Sequence, residues 1–138
     1  RKSLFKVDTN IVSLGAIYVL TGLIFVIFEI MIINYRPYLI EGKLEASYPS
    51  STTLLATVVF ISAIFQIDKY IKNKYIKLPL ISLCVLLASF LVIGRIISGV
   101  HWFSDILGGL IISFTILFGY SYFEALFTLL FNRNNVIE

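Results

Sequence analysis

Residues 78–120 read LPLISLCVLLASFLVIGRIISGVHWFSDILGGLIISFTILFGY, two apolar runs joined by a short polar segment. A hydrocarbon core of about 30 Å is crossed by roughly 20 apolar residues in a helix. Lipid offers no partners to backbone polar groups, so long runs without alternating polarity indicate helices rather than strands. This stretch therefore predicts two membrane-spanning helices with a polar turn between them.

The same pattern extends through the rest of the chain. Apolar runs cover residues 10–33, 49–67, 78–94 and 106–123. Apolar residues make up 59% of the chain and charged residues 14%, against roughly 45–50% and about 25% in soluble proteins. We predict an all-α integral membrane protein, a helical bundle with four visible transmembrane spans, which forms a single membrane-embedded domain over residues 1–138.

The basic residues predict how the bundle is oriented. The N-terminal segment RKSLFK has three basic residues, and DKYIKNKYIK at 68–77 has four lysines and one aspartate. Positive loops face the cytoplasm, so both termini are predicted to be cytoplasmic and the connections near 34–48 and 95–105 to face outward. Abundant Ile, Asn and Lys favour a bacterial plasma membrane. The net charge of +3 is small, and we predict contact with the lipid bilayer and none with nucleic acid.

Three polar clusters fall at the predicted outer face. Arg36-Pro37 follows the first span, Pro49-Ser50-Ser51-Thr52 opens the second, and the segment 95–105 joins the last two. Charged groups at membrane depth are costly and usually functional. Clusters that are separate in sequence but share one face therefore indicate a site.

The first group of these residues suits an anion. Arg36 and Arg95 could each hold a phosphate with paired N–H groups. A helix that starts near Pro49 leaves free backbone N–H groups at its tip, and Ser50 and Ser51 add hydroxyls to them. These residues predict a phosphate-binding site.

The second group suits nucleophilic catalysis. His101 and Asp105 have i, i+4 spacing, which places them on one face if the fourth helix starts near His101. The carboxylate could then accept a proton from one imidazole nitrogen and leave the other free to attack. Together with the arginines, this pair predicts phosphoryl transfer through a phosphohistidine.

Each residue also has a structural interpretation. His101 could belong to an aromatic belt at the membrane interface, Asp105 could cap a helix, and the serines could do the same. Arg36 and Arg95 could anchor the ends of spans by extending toward the headgroups. These interpretations treat the residues separately and do not explain their joint spacing.

The spacing resembles that of a known family. RIISGVHWFSD at 95–105 matches Arg-x5-His-x3-Asp, the third signature of the type-2 phosphatidic acid phosphatase superfamily, which includes the lipid phosphate phosphatases. YPSSTT at 48–53 is similar to its second signature, Pro-Ser-Gly-His. EIMIINYRP at 29–37 is similar to the first signature, Lys-x6-Arg-Pro. The three segments occur in the family's order and span residues 29–109.

The resemblance implies a membrane phosphatase that hydrolyses a lipid phosphate or diphosphate at the outer leaflet. His101 would be the nucleophile and Asp105 would orient it, while Arg36, Arg95, Ser50 and Ser51 would hold the phosphate. The family mechanism needs no cofactor and no metal, and one histidine without a cysteine pair forms no plausible zinc site. Family members usually have six spans, so the four seen here would be the last four, and an N-terminal helical pair is expected to be missing.

The sequence departs from the family at three places, one of which is Gly94, just before the third signature, where the family often has serine. Glu29 occupies the lysine position, and Ser51 and Thr52 occupy those of glycine and histidine. That histidine protonates the leaving oxygen in the family, a role worth about 10²–10⁴-fold in rate. We expect a protonated Glu29, its pKa raised near lipid, or a water held by Thr52 to replace it. Alternatively, Glu29 pairs with Arg36 and only supports it.

Two other functions remain open from the sequence. A catalytically impaired relative would bind lipid phosphate, act as a scaffold or transfer phosphate to another acceptor. A small transporter or channel subunit would need polar residues along the span interiors, and these spans hold few beyond hydroxyls of the kind that serve helix packing. The particular lipid phosphate and the oligomeric state do not follow from the sequence.

Overall fold

The computed structural model describes residues 9–134, with side chains over residues 10–125. It contains four helices: α1 (Thr9–Ile30), α2 (Ser51–Tyr70), α3 (Lys74–Ser98) and α4 (Phe103–Asn134). Each is long and apolar enough to cross a membrane, and the described part of the chain has no strand. The predicted all-α membrane bundle is therefore confirmed. The basic N-terminal segment lies outside the described residues, and the orientation and the domain assignment stay predictions.

The helix ends differ from the predicted spans for local reasons. Helix α3 begins four residues before the predicted start at 78, because Asn73 caps it by accepting a hydrogen bond from the backbone N–H of Tyr75 at 3.0 Å. Hydropathy marks only the apolar part of a helix, whereas a cap extends it into polar residues. Helix α1 ends at Ile30, three residues before the predicted end, where the chain turns into the first connection.

Helix α2 lies at the centre of the bundle and contacts the other three helices. Leu54 and Val58 are fully buried on it and pack against Ile17 of α1 and Leu117 of α4. Helix α3 has no buried residue and lies at the periphery. Its large apolar side chains face outward, as is expected where the surrounding medium is hydrocarbon.

A polar network joins three helices at the end of the bundle where α2 finishes. Asn10 is 2% exposed and donates from Nδ2 to Gln66 Oε1 at 2.6 Å and to Tyr70 Oη at 3.0 Å. Tyr120 donates its hydroxyl to Asn10 Oδ1 at 2.5 Å and accepts from Gln66 Nε2 at 2.8 Å. Within a membrane such interhelical hydrogen bonds hold helices together.

The first connection, residues 31–50, folds back on itself as a hairpin at the opposite end of the bundle. Tyr35 pairs with Ala46, and Ile40 and Lys43 exchange backbone hydrogen bonds of 2.9 and 3.1 Å. Between them Glu41 and Gly42 have φ of 50° and 77°, as a two-residue turn that matches the twist of a hairpin requires. The hairpin holds its two arms, which carry Arg36 and Ser47, next to each other.

The hairpin also packs onto the helices. The Tyr48 ring meets Phe28 edge-on with centroids 5.7 Å apart, and a Cβ built on Gly108 of α4 would overlap that ring. Tyr48 therefore packs between the hairpin and the helices α1 and α4. Trp102 donates its indole N–H to the backbone oxygen of Tyr35 at 2.9 Å, which joins the hairpin to the α3–α4 connection.

Candidate active site

The three polar clusters of the sequence meet at one small cavity under the hairpin. Glu29 from the end of α1, Arg36 from the hairpin, Ser51 from the start of α2 and His101 from the α3–α4 connection all line it. Its volume is about 20 Å³, which is enough for about one water molecule. The fold therefore brings together residues that lie up to 72 positions apart in the sequence.

The imidazole of His101 is held in one tautomer by the hairpin. Its Nδ1 lies 3.0 Å from the backbone oxygen and 3.2 Å from the hydroxyl of Ser47. A carbonyl oxygen can only accept, so Nδ1 carries the proton and donates it. The lone pair of the neutral ring is then on Nε2, which is the nitrogen available for attack.

The surroundings of His101 favour the uncharged ring. Its side chain is 3% exposed, and burial lowers the pKa of His101 below its ordinary value of 6.5. The positive charges of Arg36 and, to a lesser degree, Arg95 lower this pKa further, while the Ser47 carbonyl and Asp105 act in the opposite direction. The net effect leaves the imidazole neutral, and therefore nucleophilic, at neutral pH.

Asp105 is fully buried in the first turn of α4. Its Oδ2 accepts hydrogen bonds from the Ser47 hydroxyl and, at 3.0 Å, from the backbone N–H of Trp102. The second bond caps the start of α4, as a carboxylate at the third helical position commonly does. Asp105 therefore has the capping role that the sequence offered as an alternative, together with a link to the histidine site.

The predicted direct hydrogen bond between His101 and Asp105 is not formed. Nδ1 and Oδ2 are 3.7 Å apart, beyond hydrogen-bond distance. A shared helical face was expected only if the fourth helix started near His101; α4 begins at Phe103, and His101 lies in the connection before it. The hydroxyl of Ser47 reaches both side chains instead.

The two serines of the second cluster have different surroundings. Ser50 is fully buried and is the N-cap of α2: its hydroxyl accepts from Thr53 N at 3.5 Å and from Thr53 Oγ1 at 3.0 Å. Its backbone N–H donates to the backbone oxygen of Asp105 at 2.9 Å. Helix α2 begins at Ser51 and not at Pro49, and of the two serines it is Ser51 that lines the cavity.

Arg36 has a buried N–H group that no hydrogen bond satisfies. Its Nε lies 3.3 Å from Glu45 Oε2, but among the described residues this buried atom has no hydrogen-bond acceptor in suitable geometry. The ion pair that the sequence offered as an alternative, with Glu29, is replaced by this pair with Glu45. A buried donor without an acceptor costs about 1–3 kcal/mol, and Arg36 is also one of the residues that line the cavity.

Arg95, in the last turn of α3, donates from Nη2 to the hydroxyl of Thr52. Thr52 is not among the residues that line the cavity, so its side chain serves to hold the Arg95 guanidinium. Arg95 still acts electrostatically on His101. Arg95 does not line the cavity, so of the two predicted phosphate-binding arginines the structure brings only Arg36 to it.

Ser47 and Glu45 are two residues of the site that the sequence did not predict. Both lie on the second arm of the hairpin, and neither belongs to a recognisable signature. Glu45 offered one weak signal, as an acidic residue in the connection that also holds Arg36. Nothing in the sequence distinguishes Ser47 from other loop serines, because its role depends on the pairing of residues 35 and 46. Within residues 10–125, no group of three His, Cys, Asp or Glu side chains could hold a metal ion.

Comparison with known proteins supplies one match. The family model described as the PAP2 superfamily matches residues 10–129, a range that contains α2, α3, most of α1 and α4, and every residue of the cavity. No curated protein and no solved structure matches the chain.

Proposed function

The chain belongs to the PAP2 superfamily, whose members are generally phosphatases, and on that premise we propose that it hydrolyses a lipid phosphate or diphosphate at the outer leaflet. We further propose that the reaction proceeds through a phosphohistidine on His101. One observation carries the proposal: a buried imidazole with Nδ1 hydrogen-bonded to Ser47 lines the same cavity as Arg36.

The first chemical step uses the free nitrogen of His101. Nε2 attacks phosphorus, an Nε2–P bond forms, and the bond from phosphorus to the lipid oxygen breaks. The ring becomes a cation because Nδ1 keeps its proton, and the nearby Asp105 carboxylate stabilises that charge. Arg36 and Arg95 offset the negative charge of the phosphoryl oxygens. A water then attacks phosphorus and breaks the N–P bond, and one proton of the water returns to the group that protonated the leaving oxygen. This step releases inorganic phosphate and restores His101.

The leaving oxygen needs a proton, and Glu29 is our proposed donor. Glu29 lines the cavity with His101, whereas the Thr52 hydroxyl is engaged with Arg95. Glu29→Gln removes the acid and keeps the shape. We expect its turnover to fall by about 10²-fold. Turnover equal to that of the wild type would reject the acid role.

The proposal is tested by phosphate release from phosphatidic acid, and separately from polyprenyl diphosphate, with the purified chain in detergent. We expect release that vanadate inhibits and that His101→Ala abolishes. Brief reaction with a radiolabelled substrate should leave acid-labile phosphate on the wild type and none on His101→Ala. Release that survives in His101→Ala would exclude the covalent mechanism.

A second candidate is a relative that binds lipid phosphate without turnover. It is favoured by the engagement of Thr52 with Arg95, at the position where the family has its proton-donating histidine, and by the small volume of the cavity. Binding of phosphatidic acid that depends on Arg36, without phosphate release from any tested lipid, would support a scaffold. Transfer of the label to an added alcohol in place of water would support a phosphotransferase.

A further inference from the structure

Ser47 is the only described residue whose side chain contacts both His101 and Asp105 by hydrogen-bonding atoms. It is 2% exposed. Its backbone oxygen lies 3.0 Å and its hydroxyl 3.2 Å from His101 Nδ1, and the same hydroxyl donates to Asp105 Oδ2. Without it, the carboxylate and the imidazole face each other across 3.7 Å with no shared hydrogen bond.

We propose that Ser47 is a positioning residue of the phosphoryl-transfer site. Its carbonyl accepts a hydrogen bond from the Nδ1–H of His101 and thereby selects the tautomer with a free Nε2. Its hydroxyl links the Asp105 carboxylate to the ring through hydrogen bonds. The inference rests on the proposed function, because it assigns Ser47 to the nucleophile of that reaction.

The hairpin explains how a loop residue can position a catalytic group. The backbone N–H of Ser47 donates to Asn34 O at 2.9 Å, and that of Arg36 donates to Glu45 O at 3.1 Å. These bonds fix the register of the two arms, so Ser47 and Arg36 are held together. One structural unit therefore sets the tautomer of the nucleophile and the location of a cation that would bind the phosphate.

The charges around the His101 ring explain what the Ser47 hydroxyl contributes to the reaction. Arg36 from the hairpin and Arg95 from α3 oppose a cationic imidazole, and Asp105 from α4 favours one. When Nε2 bonds to phosphorus, the ring becomes cationic and needs the carboxylate. The Ser47 hydroxyl lies between Nδ1–H and the carboxylate, accepting from one and donating to the other, which strengthens both interactions.

A double-mutant cycle tests this bridge by phosphate release from phosphatidic acid. We expect Ser47→Ala to lower kcat roughly 10–100-fold, as loss of an outer hydrogen-bond partner of a functional histidine does, with KM within about twofold. Ser47→Ala combined with Asp105→Asn should be no slower than Asp105→Asn alone, because both changes cut one linkage. Ser47→Thr should retain most activity. If kcat of the double variant fell by the product of the two single-variant decreases, the proposal would be overturned.

A second measurement does not require turnover. The chain has one histidine, so the full chain, purified without a histidine tag and labelled with ¹⁵N-histidine, shows a single imidazole whose tautomer and titration NMR reports directly. We expect a protonated Nδ1 in the neutral wild type. Ser47→Ala and Asp105→Asn should each lower the pKa of His101, and the double variant should lower it no further than Asp105→Asn.

The matched control is Ser62→Ala. Ser62 is also a fully buried serine that joins two elements, with its hydroxyl 2.9 Å from Tyr18 Oη, but it lies more than two helical turns from the cavity. We expect this variant to leave the pKa of His101 and kcat unchanged. An Nε2-protonated ring, or a pKa shift in Ser62→Ala equal to that in Ser47→Ala, would overturn the proposal. If the pKa of His101 shifts as expected in these variants but no His101-dependent phosphate release is found, the phosphatase function is rejected. The link that Ser47 forms between His101 and Asp105 is then still supported.

Discussion

His101 shows how single residues in this site depend on charges from distant parts of the chain. The ring is buried and lies within the influence of two arginines, and both effects favour its neutral form. Asp105 opposes them from 3.7 Å. The balance favours a neutral imidazole at neutral pH with a carboxylate nearby, as the proposed phosphohistidine mechanism requires.

This balance of charges predicts the pH at which kcat/KM for phosphate release falls on the acid side. Protonation of Nε2 removes the attacking lone pair, so kcat/KM should fall as the pH drops through the pKa of His101. Because that pKa is lowered from 6.5, the acid limb should lie below pH 6.5. Phosphate release measured between pH 4 and 9 checks the position of the limb, and a midpoint above 6.5 would contradict it.

Arg36 makes the same prediction testable by substitution. Arg36→Gln removes a charge that lowers the pKa of His101, so we expect the acid limb to move to higher pH and KM for phosphatidic acid to rise. Arg36→Lys keeps the charge and should leave the limb in place while it loses the planar N–H pair. Equal pH profiles for the two variants would show that the Arg36 charge does not act on the imidazole.

At the scale of elements, the site lies where helices begin and end. Helix α2 starts at Ser51, α4 starts two residues after His101, and Arg95 occupies the last turn of α3. Caps at these ends orient the functional groups. Asp105 caps α4 through Trp102 and reaches the histidine through Ser47, so one carboxylate stabilises the helix and supports the nucleophile.

The N-cap of α2 predicts a stability effect. Ser50→Ala removes the acceptor for the Thr53 backbone N–H, and loss of such a cap typically costs about 1 kcal/mol. We expect the free energy of unfolding in detergent to fall by about that amount. Ser51→Ala, one residue along and directed at the cavity, is the comparison: it should raise KM and leave stability nearly unchanged. A stable Ser50→Ala variant would argue against the capping role.

The contact between α4 and the hairpin predicts a functional effect away from the catalytic groups. Gly108 has no room for a Cβ beneath the Tyr48 ring, and Tyr48 is the neighbour of Ser47. Gly108→Ala should therefore displace the hairpin, lower kcat at least tenfold and destabilise the protein by about 1–3 kcal/mol. Gly119→Ala on the same helix meets nothing within 4 Å and should be tolerated. Normal turnover in Gly108→Ala would show that the hairpin adjusts freely.

At the scale of the whole molecule, four helices bury few side chains and expose many large apolar ones. The peripheral helix α3 buries none, which is stable only where hydrocarbon surrounds it. Polar contacts inside the bundle are concentrated at its two ends. One end holds the Asn10 network and the other holds the site.

The predicted orientation is open to direct measurement. In a Cys84→Ser background, Lys43→Cys at the exposed hairpin tip should react with a membrane-impermeant maleimide added to intact cells. Lys72→Cys, in the α2–α3 connection, should react only after the membrane is permeabilised. The reverse pattern would place the site on the cytoplasmic face, against the distribution of basic residues.

The sequence alone determined the class of the fold and predicted most residues of the candidate site, because both depend on local information. Apolar runs long enough to span lipid predict helices, and the spacing of Arg95, His101 and Asp105 is visible within eleven residues. The tertiary structure alone decided how those groups meet. Ser47 separates the histidine from the carboxylate, and Glu45 replaces Glu29 as the partner of Arg36. These contacts depend on the register of a hairpin, which is set by backbone hydrogen bonds and packing that no local pattern of residues encodes.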